Sequence, residues 1–408
     1  MSLHANIAWS LAGNAVYAAC QWGWIVVLAK AGTPEDVGLL ALALAVTAPL
    51  FMLAGLQLRA VQATDARRRH AFGEYLGLRL ALTVAACAGV GVFLLAGGAP
   101  REAVPAILVV AVARAFEATS DIYYGLFQQH ERMDAVAVSL ALRGIASVAV
   151  LGAVVAATGS VTAGLAGLAG TWLAVVLVHD VPRAARLASG SRRAIWDPSR
   201  LRPLAILALP LGGVTALVSL SANVPRYVLG RLRGVDELGC FAAMASVALV
   251  GSVVINAAGQ ASAPRLALHH AAGNRRAFRR LVWFLLALAA LLGAAGILAA
   301  WIYGRPILTV LYRPEYATRP AAFVAVMVSG AVLHLASALG YALTAMRRFR
   351  IQVPIQIAVT AAVVASCAAL VPNWGAAGAA WAATAGAAVS VAGTAWGILR
   401  PAPPEASP

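Results

Sequence analysis

Apolar residues dominate this chain in long runs, broken by short polar gaps. The runs cover residues 7–29, 37–58, 75–95, 104–127, 135–157 and 161–181. A basic, polar stretch from 182 to 202 follows. A second set covers 204–229, 238–261, 281–303, 321–346, 351–371 and 375–399. Most exceed the roughly 18 residues that mark a helix long enough to cross a bilayer. The pattern predicts an all-α, polytopic membrane protein of about 12 transmembrane helices. The two sets predict two six-helix lobes, residues 1–190 and 191–400, followed by a short disordered tail, 401–408.

Composition agrees with the pattern. The chain is 62% hydrophobic and 11% charged, too few charges to clothe a soluble surface. Its net charge of +16 does not point to nucleic acid, because the basic residues lie in gaps between apolar runs. Twenty of the 31 fall in the gaps after even-numbered runs and in the tail, among them Arg67, Arg68 and Arg192. Seven fall in the opposite gaps, and Arg79, Arg114, Arg143 and Arg226 lie within runs. The positive-inside rule then puts both termini in the cytoplasm. The first run carries Trp9, Asn14, Gln21 and Trp24 without a basic region before it, and reads as a first helix, not a leader. Four cysteines inside apolar runs, with no CxxC, imply neither zinc nor a disulfide framework.

The two halves resemble each other. Val37–Ala41 echoes Leu238–Ala242, each after an acidic pair (Glu35 and Asp36; Asp236 and Glu237). The end of the fourth run, 125–133, echoes the end of the tenth, 340–349. Six helices per copy is an even number, so two such copies share one orientation.

Polar residues inside the runs fall at helical spacing. In the fourth run Arg114, Glu117, Asp121, Tyr124 and Gln128 share one helix face. Three charges near the bilayer centre cost about 2.5–3.5 kcal/mol each. Strongly apolar residues return about 0.3–0.6 kcal/mol each, so this helix needs neighbours or water along its stripe. Two readings are open: an internal ion pair between Arg114 and Glu117, with Asp121 served by Arg79 or Arg143, or a solvated cavity wall with a coupling carboxylate. The first run carries Asn14, Tyr17 and Gln21, and the seventh carries Asn223 and Arg226, with Pro210 and Pro225 as bends. The eighth carries Asn256 and Gln260. The tenth carries His334, Ser337, Tyr341 and Thr344, with His334 either a packing residue or a coupling group.

No P-loop, HExxH or GxSxG with triad partners occurs, so no catalytic residues, metal or cofactors are expected and the chain does not read as an enzyme. Two repeats around polar helix faces point to alternating access. Buried arginines favour an anionic substrate, since guanidinium groups pair with phosphate oxygens. Candidate contacts are Arg59, Arg79, Arg114, Arg143, Arg226 and Arg265, with Asn14, Gln21, Asn223, Asn256 and Gln260 lining the cavity. Glu117, Asp121 and His334 are the coupling candidates.

Scattered residues along the chain carry a resemblance. They are Asn6, Trp9, Gly13, Asn14, Gln21, Gly38, Pro49, the stretch Leu56 to Arg59, Gln62, Asp65, Tyr75 and Arg79. Asp121 to Met133 and Pro210, Asn223, Arg226, Gly239 and Gln260 complete it. The chain resembles the polysaccharide-transporter (oligosaccharide and O-antigen flippase) branch of the multidrug/oligosaccharidyl-lipid/polysaccharide exporter superfamily. The resemblance implies two lobes around a central cavity. It also implies transfer of an undecaprenyl-diphosphate-linked oligosaccharide across the bacterial inner membrane. Implied partners are that lipid-linked oligosaccharide, membrane lipids and the polymerase and chain-length proteins of the pathway, with no nucleic acid. The competing expectations are an ion-coupled drug exporter, which would want more acids and aromatics, and a membrane glycosyltransferase or polymerase. The latter would want a larger external loop than 304–320.

Overall fold

The computed structural model describes residues 3–65, 69–187 and 193–400. The expected lobe border at 190/191, the tail 401–408 and Arg67, Arg68 and Arg192 lie outside the described residues. Those residues are helical almost throughout and form no strand. Among them, eleven helical segments are long and apolar enough to cross a membrane, so the chain is a multi-pass membrane protein. Its helices divide into two compact units, 1–223 and 224–408.

The first unit contains α1 (Leu3–Ala31), α2 (Pro34–Gly55), α3 (Leu58–Thr64), α4 (Phe72–Leu95), α5 (Val104–Gln129) and α6 (Met133–Thr158). It continues with α7 (Val161–Val175), a π-helical turn (Val176–Asp180), α8 (Val181–Leu187) and the first part of α9 (Pro198–Arg233). Local chemistry sets the boundaries. Thr33 and Asp36 form a capping box at the start of α2, and Pro34 occupies its first turn. Two successive left-handed residues, Leu56 and Gln57 (φ 46° and 53°), then break the chain between α2 and α3.

The short α3 is pressed onto α5. Gln62 is buried beside Gly125, where a Cβ would run into the Gln62 amide. Beyond α3, Asp65 accepts the Arg69 and His70 amides (3.0 and 3.1 Å) and the Tyr75 hydroxyl (3.3 Å). Burial raises the Asp65 pKa, but these hydrogen bonds outweigh it and hold the carboxyl below its ordinary value. Gln129 Nε2 donates to the Asp65 carbonyl (3.1 Å), which fixes the end of α5 as well. Within the unit α5 is central, packed against α2, α3, α4, α6, α7 and α8.

The second unit holds the rest of α9 with α10 (Val235–Ala271), α11 (Arg275–Leu311), α12 (Pro320–Ala345) and α13 (Phe349–Leu399). At 51 residues, α13 would be about 75 Å long if straight, over twice the roughly 30 Å hydrocarbon core. It is not straight. Gly375 adopts φ 52°, ψ −126°, three residues after Pro372. Arg348 at the start of α13 donates to the carbonyls of Gly397 and Arg400 at its end (2.6 and 2.7 Å). The element is therefore a hairpin that crosses twice, and the eleven segments make twelve crossings, as the apolar runs predict. Glu237 Oε1 accepts the Ala376 N–H (2.7 Å), capping the second arm. Arg319 and Arg233 approach the same carboxylate at 3.2 and 3.4 Å.

The sequence echo between halves is a structural one at α5 and α12. Each is 26 residues long, follows a 3-10 turn and carries Pro in its first turn. Each ends on a non-glycine left-handed residue, Glu131 (φ 54°) or Arg347 (φ 55°). In both, the following amide reaches back over the last turn, Arg132 to Phe127 and Arg348 to Leu343, which is a Schellman closure.

The φ/ψ of Gly375 lies where a side chain costs roughly 1–3 kcal/mol, and a Cβ there would press on the Glu237 carboxylate. Gly375→Ala is therefore expected to lower the unfolding midpoint in detergent, read by circular dichroism. Gly91→Ala, in α4 with open space around it, serves as the control and should not lower it.

Candidate functional site

A cavity of about 560 Å³ opens beside α5 within the first unit. All five residues of the α5 stripe line it: Arg114, Glu117, Asp121, Tyr124 and Gln128. The stripe meets arginines from three other helices. Arg79 of α4 donates to Asp121 (Nη2 to Oδ2, 2.7 Å), and Arg59 of α3 approaches the other oxygen of Asp121 (Nη1 to Oδ1, 3.6 Å). One turn away, Arg114 pairs with Glu117 (Nη1 to Oε2, 2.5 Å), while Arg143 of α6 meets its other oxygen (Nη2 to Oε1, 3.4 Å).

Each carboxylate is thus shared by two guanidinium groups, and the members of each pair differ in access. The side chains of Arg79 and Arg143 are 4% and 3% exposed, those of Arg59 and Arg114 31% and 20%. The order is accessible arginine, carboxylate, buried arginine, repeated one helical turn apart. The ion pairs of the first reading are present, and their members line a cavity.

Aromatic rings hold the deeper arginine. The guanidinium carbon of Arg143 lies 4.8 Å from the ring centres of Tyr17 and Trp172 and 5.9 Å from that of Tyr124. Such contacts gain strength when desolvated. The Tyr17 hydroxyl also donates to Glu117 (3.3 Å). Arg59 lies over the Tyr124 ring at 5.4 Å and donates from Nε to Gln128 (3.2 Å). Asn14 completes the α1 wall, donating to the Ser10 carbonyl (2.7 Å).

The other sequence candidates lie elsewhere. Gln21 is exposed on α1 and outside the cavity lining. Asn223 is buried and donates to the Ser219 carbonyl (2.8 Å). Arg226 is half-buried on α9, and Gln260 and Arg265 are exposed on α10. His334 is buried on α12, with Nε2 at 3.2 Å from the Ser252 hydroxyl. Asn256 lines a separate cavity of the second unit. No cluster of three metal-ligating side chains occurs among the described residues.

The sequence reading missed two groups. Trp172 passed for an ordinary apolar residue. Asp180 was hidden at the end of an apolar run, yet it is fully buried, accepting from Ser120 (2.7 Å) and contacting His179 Nδ1 (2.9 Å). Both His179 and Asp180 belong to the π-helical turn, a distortion often found at functional sites. The signal was an acid and a histidine side by side where the hydrophobic run should have ended.

Known proteins share this architecture. The profile of a family described as polysaccharide biosynthesis protein matches residues 3–270. The capsular polysaccharide biosynthesis protein CapF of Staphylococcus aureus is 24% identical over 311 residues, 76% of this chain and 78% of CapF. Among solved structures, a multidrug resistance MATE family transporter of the MOP superfamily, inward-facing, superposes with a TM-score of 0.73. That match has 14% identity and covers 95% of this chain and 97% of the other. The lipid II flippase MurJ, in an inward closed conformation, gives a TM-score of 0.73 at 11% identity, covering 96% and 87%. At these identities the structural likeness is one of fold.

Removing one member of a buried ion pair strands the other, at a cost of about 3–5 kcal/mol, whereas replacing both with apolar groups costs far less. Asp121→Leu is expected to destabilise the protein by about that amount in a denaturing-detergent titration, because Arg79 remains buried. The double variant Arg79→Leu/Asp121→Leu should recover most of the loss. A double variant no more stable than the single would contradict the pairing.

Proposed function

Because this chain belongs to the polysaccharide biosynthesis protein family, we propose that it is a flippase for a diphosphate-linked lipid oligosaccharide. The lipid in this reading is undecaprenyl diphosphate, moved from the cytoplasmic to the outer leaflet of a bacterial inner membrane by alternating access. The observation that carries the reading is the pair of shared carboxylates on α5. Four guanidinium groups and two carboxylates leave the cavity with a charge of +2. A diphosphate esterified at both ends carries one negative charge on each phosphorus, so the charges match.

The geometry supports an exchange. Arg59 and Arg114 are the accessible members of the two sets, and phosphate oxygens compete with Asp121 and Glu117 for them. The carboxylates do not become stranded, because Arg79 and Arg143 hold them from behind. On release, each carboxylate recovers its accessible arginine. The substrate is bound without a large desolvation penalty and let go without leaving unpaired charge, which a carrier needs in a low-dielectric site. Protonation of Glu117 or Asp121 would remove a competitor for phosphate, and that is the route by which a proton gradient would couple to transport. Both termini are cytoplasmic in this reading, which the arginine distribution supports. An organic-cation exporter is disfavoured, since neither carboxylate is free to meet a cationic drug.

The deciding assay is transfer of a fluorescent undecaprenyl-diphosphate oligosaccharide across proteoliposomes, read with a membrane-impermeant modifying enzyme. Wild-type protein should exceed empty vesicles, and Arg114→Ala should reduce transfer at least tenfold while still inserting. Background transfer together with expulsion of an organic cation would sink the flippase reading. A second outcome follows from the exchange. In Asp121→Asn the buried Arg79 lacks its counter-charge, so an added diphosphate lipid should raise the unfolding midpoint more than in wild type. Equal shifts would argue against competition between phosphate and Asp121.

A further inference from the structure

The second unit has its own cavity, of about 400 Å³, with a different chemistry. It lies among α10, α12 and both arms of α13. Its polar lining is neutral: amides from Asn256, Gln352 and Gln356, and hydroxyls from Ser337, Ser390 and Thr394, with the Tyr341 ring as one wall. No carboxylate, guanidinium, ammonium or imidazole lines it among the described residues. The lining is held in place from within. Tyr341 OH lies 3.3 Å from Asn256 Oδ1, and Gln352 Nε2 donates to the Thr344 hydroxyl at 3.2 Å.

This composition narrows the ligand. A lipid chain would gain nothing from a wall of amides, whose polar groups it would leave unmet. An anion or a cation would find no counter-charge. A planar amide offers a donor and an acceptor side by side, which suits adjacent hydroxyl groups of one molecule, and an aromatic face suits an apolar ring face. Pockets of this kind bind through a few placed polar groups on a preformed wall.

We propose that this cavity of the second unit is a glycan subsite, taking the uncharged sugar hydroxyls of the transported lipid-linked oligosaccharide. The assignment rests on the flippase reading above. The uncharged lining of this cavity thus matches the sugar portion of such a substrate and not its diphosphate.

Gly340 gives a clean test. It lines the cavity on α12, and a Cβ added there meets nothing within 4 Å. Gly340→Val therefore adds bulk to the cavity at a position where a Cβ meets nothing, and Gln352→Leu removes an amide at similar volume. The full-length protein is reconstituted and given two lipids in parallel. One is the lipid-linked oligosaccharide extracted from the cells that make this protein, and the other is undecaprenyl diphosphate without sugar. The expected result is a fall of at least tenfold in the ratio of glycan-bearing to glycan-free transfer, in both variants. An unchanged ratio, with wild type moving both lipids, overturns the glycan subsite and leaves the flippase reading intact. Wild-type protein that moves neither lipid overturns both.

Discussion

A charge in the interior of a membrane protein survives only beside its opposite, and the first unit is arranged around that constraint. Helix α5 carries one arginine and two carboxylates along a single face. None is tolerable against lipid. Three other helices each contribute one guanidinium: α3 brings Arg59, α4 brings Arg79 and α6 brings Arg143. The left-handed break at Leu56 and Gln57 makes sense in this light, since it turns α3 so that Arg59 faces the stripe. The aromatic box around Arg143 adds to this, because π-faces attract a desolvated guanidinium.

The sharing of each carboxylate distinguishes this wall from an ordinary buried salt bridge. A closed pair is inert, and breaking it for a ligand would leave two orphaned charges. A carboxylate with a second cation behind it can give up the first. Each carboxylate offsets only half the charge of its two arginines, which leaves the cavity wall positive. The second unit repeats the backbone of α5 in α12, down to the left-handed closing residue, but not its charges. Helix α5 carries an ionic wall in one unit, whereas α12 brings hydroxyls and a tyrosine ring to the neutral cavity of the other.

Much of this was legible in the sequence, for reasons that can be named. Spacings of three and four placed Arg114, Glu117, Asp121, Tyr124 and Gln128 on one face, since helix periodicity is a local property. Twelve crossings could be counted because apolar runs are local too. The twelfth is hidden in the structure by a single continuous element, and Pro372 with Gly375 marks the break. Pairing was not legible. Arg79 and Arg143 were equal candidates for Asp121, and only tertiary packing gives Arg79 to Asp121 and Arg143 to Glu117. Arg265 read as a headgroup contact because it lies near a helix end, and Gln21 because it continues a stripe. Whether such a residue faces a cavity depends on helix rotation, which sequence spacing leaves undetermined. The π-helical turn at Val176–Asp180 shifts the register of a run that otherwise looked regular, so Asp180 escaped notice.

The turn at Gly375 bears on how the last two crossings fold. The two arms of α13 are joined by one non-helical residue, with no loop to lie in water on the far side. The two arms therefore form one helical hairpin whose turn is a single residue. The cap for the second arm, Glu237, comes from a helix synthesised more than a hundred residues earlier. Closure of the hairpin therefore depends on a side chain distant in sequence, and the fold of α13 is tied to that of α10.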